Sequence, residues 1–149
     1  METIQEQEAK IVEEFAVFDD WMDKYAYLIE IGNSAEPMDG RYKTDDNLIR
    51  GCQSRVWLHA EEKEGRLYFT ADSDAIITKG IAALLIRVFS GQKPRDILAA
   101  DVEFIDQIGL THHLSPTRSN GLLSMLKQIK YYALAYSRQQ SDAEQVGSE

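Results

Sequence analysis

The chain has 149 residues, of which 44% are hydrophobic and 28% are charged, and its formal net charge is −9. The acidic excess argues against nucleic acid as a partner, because phosphate binding requires a basic face. No apolar run approaches the roughly 18 residues that a membrane span needs. The first ten residues lack the pattern of a secretory signal, and the single cysteine cannot form an internal disulfide. We therefore expect a cytoplasmic protein with no membrane partner.

This length predicts a single domain, residues 1–149, with a core over about 4–137 and a polar tail, 138–149. The N-terminal third carries apolar residues at alternating spacings of four and three: Ile11, Phe15, Phe18, Met22, Tyr25 and Ile29. This spacing predicts one helix over 4–31, or two helices that break near Asp19, with Gly32 and Asn33 as stop residues. The stripe is typical of core packing. Residues 33–47 show no periodicity and predict a loop.

The next segment predicts an antiparallel hairpin. Val56 and Leu58 alternate with Trp57 and His59, residues 61–65 form a turn, and residues 66–71 are rich in strand formers. Cys52 therefore lies just before the first strand.

The following segment predicts two helices and a third strand. Asp72 or Ser73 is a natural N-cap for a helix with an apolar stripe over 77–89. Gly91 ends that helix, and Pro94 begins a short one that runs to about Ala99. Residues 102–108 alternate apolar and polar side chains, which predicts a strand, with a short helical turn as the alternative.

The C-terminal part predicts a loop and one amphipathic helix. His112 and His113 lie in the loop, and Ser115 with Pro116 resembles an N-cap followed by a first-turn proline. Asn120-Gly121 interrupts the pattern, and a helix then covers 122–136 before a polar, frayed tail. The apolar faces of these helices all need to pack against one sheet, which predicts a two-layer α+β domain.

Cys52 is the one residue whose pattern suggests chemistry, although a free cysteine is more often a small buried hydrophobe. Gly51 allows a close backbone approach, and the flanking Gln53 and Ser54 are polar. A turn at a strand end is also where functional residues concentrate. These features leave a reactive thiol and a packing residue as equal alternatives.

Reactivity would require the thiolate, which is a minor species at neutral pH for an unperturbed thiol. A nearby cation or helix N-terminus would lower the pKa of the thiol, and Arg50, Arg55, Arg118 and the helix near Asp74 are candidates. Burial in apolar surroundings would raise the pKa instead and keep the thiol unreactive until a partner exposes it.

The histidines support other chemistry only weakly. Adjacent side chains of an extended segment point to opposite sides, so His112 and His113 seldom share a site. With His59 as the only other histidine and no second cysteine, a zinc site is poorly supported. No motif supports Cys–His hydrolysis. By default, the Asp72-Ser73-Asp74 run is a helix cap and the stretch from Arg118 to Gly121 is loop.

Four segments together resemble the SufE family of sulfur acceptors, a family that includes the CsdE-like paralogues and acts in iron–sulfur cluster assembly. The matching residues are Asn47 with residues 51–57, residues 71–77 with Lys79 and Gly80, Gly91 with Pro94 and residues 97–98, and residues 114–122 with Met125. The similarity spans about residues 15–136. Residues 35–43 depart from the family because they carry one proline where paired prolines are common.

The resemblance implies a fold like that of the IscU-type scaffolds, with a three-stranded antiparallel sheet packed against helices. It also implies that Cys52 takes sulfur from a pyridoxal-phosphate cysteine desulfurase as a persulfide, stimulates that enzyme, and passes the sulfur to an acceptor or scaffold complex. The chain itself would bind no cofactor and no metal, and would act as an accessory protein. Gly51, Gln53, Ser54, Asp74 and Arg118 would support the loop or shape its cavity.

Three other functions remain open at this stage. The chain could regulate the desulfurase without carrying sulfur, build clusters itself as a scaffold, or act as a Cys–His hydrolase. A scaffold of this fold usually supplies several cysteines, and this chain has one. A homodimer is compatible with the sequence, which does not identify the paralogous desulfurase.

Overall fold

The computed structural model describes the backbone of residues 2–147 and the side chains of residues 2–139. One β-hairpin packs against the helices in this part of the chain. In order, the elements are α1 (Ile4–Ala16), α2 (Trp21–Ser34), β1 (Val56–Lys63), β2 (Arg66–Ser73), α3 (Ile76–Phe89), α4 (Pro94–Ala99), α5 (Glu103–Gln107), α6 (Leu110–His113) and α7 (Pro116–Gly147).

The N-terminal apolar stripe lies on two helices that break near Asp19, as one of the two alternatives predicted. Asp20 caps α2, since its side chain accepts a hydrogen bond from the Met22 amide at 3.0 Å. Helix α2 continues past the predicted stop at Gly32 and ends at Ser34. Gly32 instead lies at a close contact with α3, where an added Cβ would be 2.9 Å from the Gly80 nitrogen.

The predicted hairpin is confirmed. Strands β1 and β2 pair antiparallel from Val56 opposite Ser73 to Lys63 opposite Arg66. Glu64 and Gly65 connect them with φ angles of 55° and 79°, the positive values that a type I′ turn requires. Strand β2 is longer than predicted, so Asp72 and Ser73 are strand residues and do not cap α3. The N-cap of α3 is Ala75, which makes no side-chain capping bond.

The predicted third strand at 102–108 is wrong, and the short helical turn is the correct alternative. Phe104, Ile105 and Ile108 are buried, and one face of the short helix α5 presents all three to the core. Within the described residues the sheet has two strands. Isolated bridges extend its two edges, one between Leu48 and Trp57 and one between Leu67 and Gln92.

The C-terminal prediction is partly confirmed. The Ser115 side chain accepts a hydrogen bond from the Arg118 amide at 3.3 Å, as expected for an N-cap with Pro116 at the first helical position. Asn120 and Gly121 do not interrupt α7, and His113 belongs to the short helix α6, not to a loop. The predicted frayed tail, 138–149, is helical as far as Gly147; its side chains after 139 and residues 148–149 lie outside the described residues.

Helix α3 is the centre of the core, because α1, α2, α7 and strand β2 all pack against it. Its buried apolar residues form one cluster with the inward side chains of the hairpin. The ion pair between Glu14 and Arg87 adds a polar link between α1 and α3. The α+β class is therefore confirmed, and the arrangement places the loop 48–55 between the start of α3 and the first turns of α7.

Candidate functional site

The loop that carries Cys52 is closed at its base by the sheet. The Ile49 amide donates a hydrogen bond to the Val56 carbonyl oxygen at 2.8 Å. Between these residues Gly51 has a φ of 90°, a conformation that favours glycine. An added Cβ at Gly51 would lie 2.7 Å from the Ser124 hydroxyl oxygen, so the loop also passes close to α7. The positive φ and the close approach to Ser124 both favour glycine at position 51.

Cys52 is half-buried and packs against the hydrophobic core. Its Sγ donates a long hydrogen bond, 3.7 Å, to the carbonyl oxygen of Gly121 in α7. Burial raises the pKa of the thiol above its ordinary value, and none of the predicted cations offsets this effect. The thiol is therefore protonated at neutral pH in this conformation. This agrees with the alternative in which apolar burial raises the pKa, and not with the one in which a nearby cation lowers it.

Cys52 lies at a small cavity, about 20 Å³, which is room for roughly one water molecule. The lining brings together residues from the loop, α3 and α7: Cys52, Gln53, Ser54, Thr78, Thr117, Arg118 and Gly121. Four predicted site residues, Cys52, Gln53, Ser54 and Arg118, thus meet in space. A larger cleft of about 580 Å³ adjoins this cavity and shares five of its lining residues.

The sequence reasoning missed Thr78 and Thr117. Thr78 is buried, 8% exposed, although it is polar. The one signal in the sequence is its position as a hydroxyl-bearing residue inside the apolar stripe of α3, between Ile77 and Ile81. Thr117 gives no signal, because polar residues in the first turn of a helix are common.

Asp74 holds the end of the loop without lining the cavity. Its carboxylate accepts a hydrogen bond from the Arg55 amide at 3.0 Å, and its own amide donates to the Arg55 carbonyl oxygen at 3.2 Å. These two bonds attach the loop to the segment that precedes α3. An anchoring role for Asp74 is therefore a prediction that these contacts allow to be tested.

We expect Asp74→Ala to loosen the Cys52 loop while leaving the core folded. The change removes one charge-assisted hydrogen bond to an exposed amide, worth about 1 kcal/mol, so the amides of residues 50–55 should exchange hydrogen about five-fold faster. Hydrogen-exchange mass spectrometry of peptides over the loop measures this. Asp19→Ala, at an exposed aspartate between α1 and α2, is the matched control. Unchanged protection in the Asp74 variant would contradict the anchoring role.

Arg118 lies at the mouth of the cavity with an exposed side chain. Among the described residues its guanidinium makes no hydrogen bond or ion pair, and its backbone amide binds the Ser115 cap. Arg50 and Arg55 are exposed and do not line the cavity. Arg118 is therefore the charged side chain among the described residues that line this cavity.

The three histidines lie elsewhere. The His113 ring stacks on Trp21 with centroids 3.8 Å apart, and the His59 ring stacks on Tyr42 at 3.7 Å. No histidine lines the Cys52 cavity, so the geometry gives a Cys–His hydrolase no support. No group of three or more histidine, cysteine, aspartate or glutamate side chains in the described part of the chain is arranged to hold a metal ion.

The fold and the site define a class of α+β protein in which one cysteine, on a loop fixed at its base, lies at a small cavity. A family model described as "SufE: Fe-S metabolism associated domain" matches residues 9–133. The chain belongs to the SufE family. Its membership links it to iron–sulfur metabolism at the level of the family.

Individual relatives agree with this assignment. A SufE-like protein of Rhizobium meliloti is 39% identical over 126 residues, covering 81% of this chain and 90% of that protein. SufE-like protein 1, chloroplastic/mitochondrial, of Arabidopsis thaliana is 42% identical over 112 residues, covering 74% of this chain and 30% of that longer protein.

A solved structure shares the fold. The solution structure of a hypothetical protein from Thermus thermophilus matches with a TM-score of 0.73 at 19% identity, covering 89% of this chain and 96% of that one. None of the helices in the described residues combines the length and the hydropathy that a membrane span requires.

Proposed function

We propose that this chain accepts sulfur on Cys52 from a pyridoxal-phosphate cysteine desulfurase and delivers it for iron–sulfur cluster assembly. The observation that supports this most is the position of the Cys52 Sγ, half-buried at a cavity with room for about one more atom. Membership of the SufE family gives the context of iron–sulfur metabolism. The pyridoxal phosphate belongs to the desulfurase.

The transfer is an exchange at a sulfur–sulfur bond. The Cys52 thiolate attacks the outer sulfur of the persulfide on the donor cysteine, so a bond forms between Cys52 and that sulfur as the donor's sulfur–sulfur bond breaks. The donor cysteine leaves as a thiolate and takes up the proton that Cys52 lost. The oxidation level of the pair does not change. Removal of the persulfide frees the donor cysteine for another turnover, which explains stimulation of the desulfurase.

The closed loop protects the cargo. Burial raises the pKa of the Cys52 thiol and limits its contact with oxidants and reductants. The chain has one cysteine, so no second thiol of its own can resolve the persulfide into a disulfide. Docking of the desulfurase would have to move the loop 48–55, whose attachments at Ile49 and Asp74 are three backbone-directed hydrogen bonds.

A direct test incubates the chain with cysteine and each of several active desulfurases. We expect the intact mass to increase by one sulfur atom with the cognate enzyme, and dithiothreitol to remove that increase. A chain that gains no sulfur from any active desulfurase would contradict the proposal. A stable iron–sulfur chromophore on the isolated chain would instead favour a scaffold.

A further inference from the structure

Thr78 is a buried polar residue with no hydrogen-bonding partner for its hydroxyl. It is 8% exposed, and no hydrogen bond of its side chain occurs among the described residues. A helical threonine can bond the carbonyl three or four residues earlier. For Thr78 these carbonyls belong to the N-cap Ala75 and to Asp74, and its hydroxyl makes a hydrogen bond with neither.

The Thr78 hydroxyl is not enclosed in the core. Among the described residues, every fully enclosed side-chain nitrogen or oxygen has a hydrogen-bond partner. An unpartnered hydroxyl must therefore open onto free space, and Thr78 lines both the Cys52 cavity and the adjoining cleft. A hydroxyl carries one donor and two acceptor positions. This donor is free to bond a group that enters the cavity or the cleft.

The start of α3 adds a second favourable feature. This helix is 14 residues long, and its N-cap, Ala75, makes no side-chain capping bond. The first amides of a helix lack partners within it and carry a partial positive charge, which attracts anions. Ala75, Ile76 and Ile77 line the cleft beside the Cys52 cavity. An anion in the cleft would therefore lie near the uncapped helix start, and Thr78 lines both this cleft and the Cys52 cavity.

We propose that Thr78 is a positioning residue for sulfur transfer, and that its hydroxyl donates a hydrogen bond to the Cys52 thiolate when this sulfur attacks the donor. The inference rests on the proposed function. The two groups beside the Cys52 sulfur then stabilise different protonation states of it. The Gly121 carbonyl accepts from the thiol and repels the thiolate, whereas the Thr78 hydroxyl stabilises the thiolate.

The charged groups around Thr78 are few. Arg118 is the one charged side chain that lines the cavity. On the segment of Thr78 itself, the Asp74 carboxylate binds the Arg55 amide, and Lys79 lies 3.8 Å from the Asp72 carboxylate. Removal of the Thr78 hydroxyl therefore changes the surroundings of the sulfur without changing a charge.

The test compares Thr78→Val, which keeps the side-chain shape but removes the hydroxyl, with Thr78→Ser, which keeps the hydroxyl. The rate at which Cys52 reacts with a dipyridyl disulfide is measured against pH on the isolated full chain, without any desulfurase. We expect the pKa of the thiol to rise by about one unit in Thr78→Val, because a hydrogen bond to a charged group is lost. Thr78→Ser should titrate like the unaltered chain.

The reaction rates with the dipyridyl disulfide provide a second test. A higher pKa leaves less thiolate but makes it more nucleophilic, so Thr78→Val should react about three-fold more slowly at neutral pH. Above both pKa values it should react as fast or faster. Thr44→Val, at an exposed threonine that makes no side-chain capping bond and does not line the cavity, is the control and should show neither effect.

An unchanged titration of Thr78→Val, or an equal shift in Thr78→Ser or Thr44→Val, would overturn the proposal for Thr78. Near-ultraviolet circular dichroism checks that each variant keeps its packing. The failure of the proposed function looks different. In that case the unaltered chain gains no sulfur from desulfurases, while the reaction with the dipyridyl disulfide still reports on Thr78.

Discussion

The Cys52→Ser variant is expected to gain no sulfur from a cysteine desulfurase and to lose its stimulation of that enzyme. A serine hydroxyl cannot form the sulfur–sulfur bond, and this chain offers no other thiol. The loss should therefore be complete within the sensitivity of mass spectrometry. Sulfide release by the desulfurase, in the presence of dithiothreitol, measures the stimulation.

Serine differs from cysteine by one atom at a half-buried position, so the fold should persist. Cys52→Ala is a second variant that leaves no polar group at position 52 and should behave in the same way. Full stimulation by either variant would contradict sulfur carriage and would favour the regulatory alternative. Equal thermal unfolding of the variants and the unaltered chain shows that the comparison concerns chemistry.

A second large effect is expected on stability, from Gly80→Ala. Helices α2 and α3 approach so closely that a Cβ at Gly80 would lie 2.4 Å from the Leu28 carbonyl oxygen and 2.8 Å from its Cγ. The backbone would have to shift. Overpacking of this kind costs about 3 kcal/mol, and the higher helix propensity of alanine offsets about 1 kcal/mol.

The net loss of about 2 kcal/mol predicts a fall in Tm of about 4–8 °C for a chain of this size. Differential scanning calorimetry measures it. Gly40→Ala is the matched control, because a Cβ at Gly40 meets no atom within 4 Å. Similar Tm values for the two variants would show that α2 and α3 do not pack at Gly80 as described.

The elements that the sequence predicts well are those specified by local patterns. The stripes of α1, α2 and α3 repeat at helical spacing, and the hairpin has alternating strands around a Glu64-Gly65 turn. The strand prediction for residues 102–108 is wrong because this segment is short. Its apolar positions, 102, 104, 105 and 108, fit the spacing of a strand and also that of a helix. Packing decides between them, since a helix buries Phe104, Ile105 and Ile108 together.

The site also contains residues that the sequence predicts and residues that it does not. Cys52 stands out because it is unique, and the resemblance supplies Asp74 and Arg118 as candidates. The cavity itself depends on how α3, α7 and the loop 48–55 meet, which no local pattern encodes. For this reason Thr78 could not be predicted from the sequence. Its proposed role depends on a hydroxyl without a hydrogen-bond partner, which lines the same cavity as a cysteine distant in sequence.

The most direct test of the central claim is a single-turnover transfer. A desulfurase carrying a preformed persulfide is freed of cysteine and mixed with an equal amount of this chain. The samples are then alkylated, digested and analysed by mass spectrometry. The account predicts that the donor loses its sulfur as the Cys52 peptide gains one sulfur atom. Sulfur that stays on the donor, or leaves as free sulfide without passing through Cys52, would contradict it.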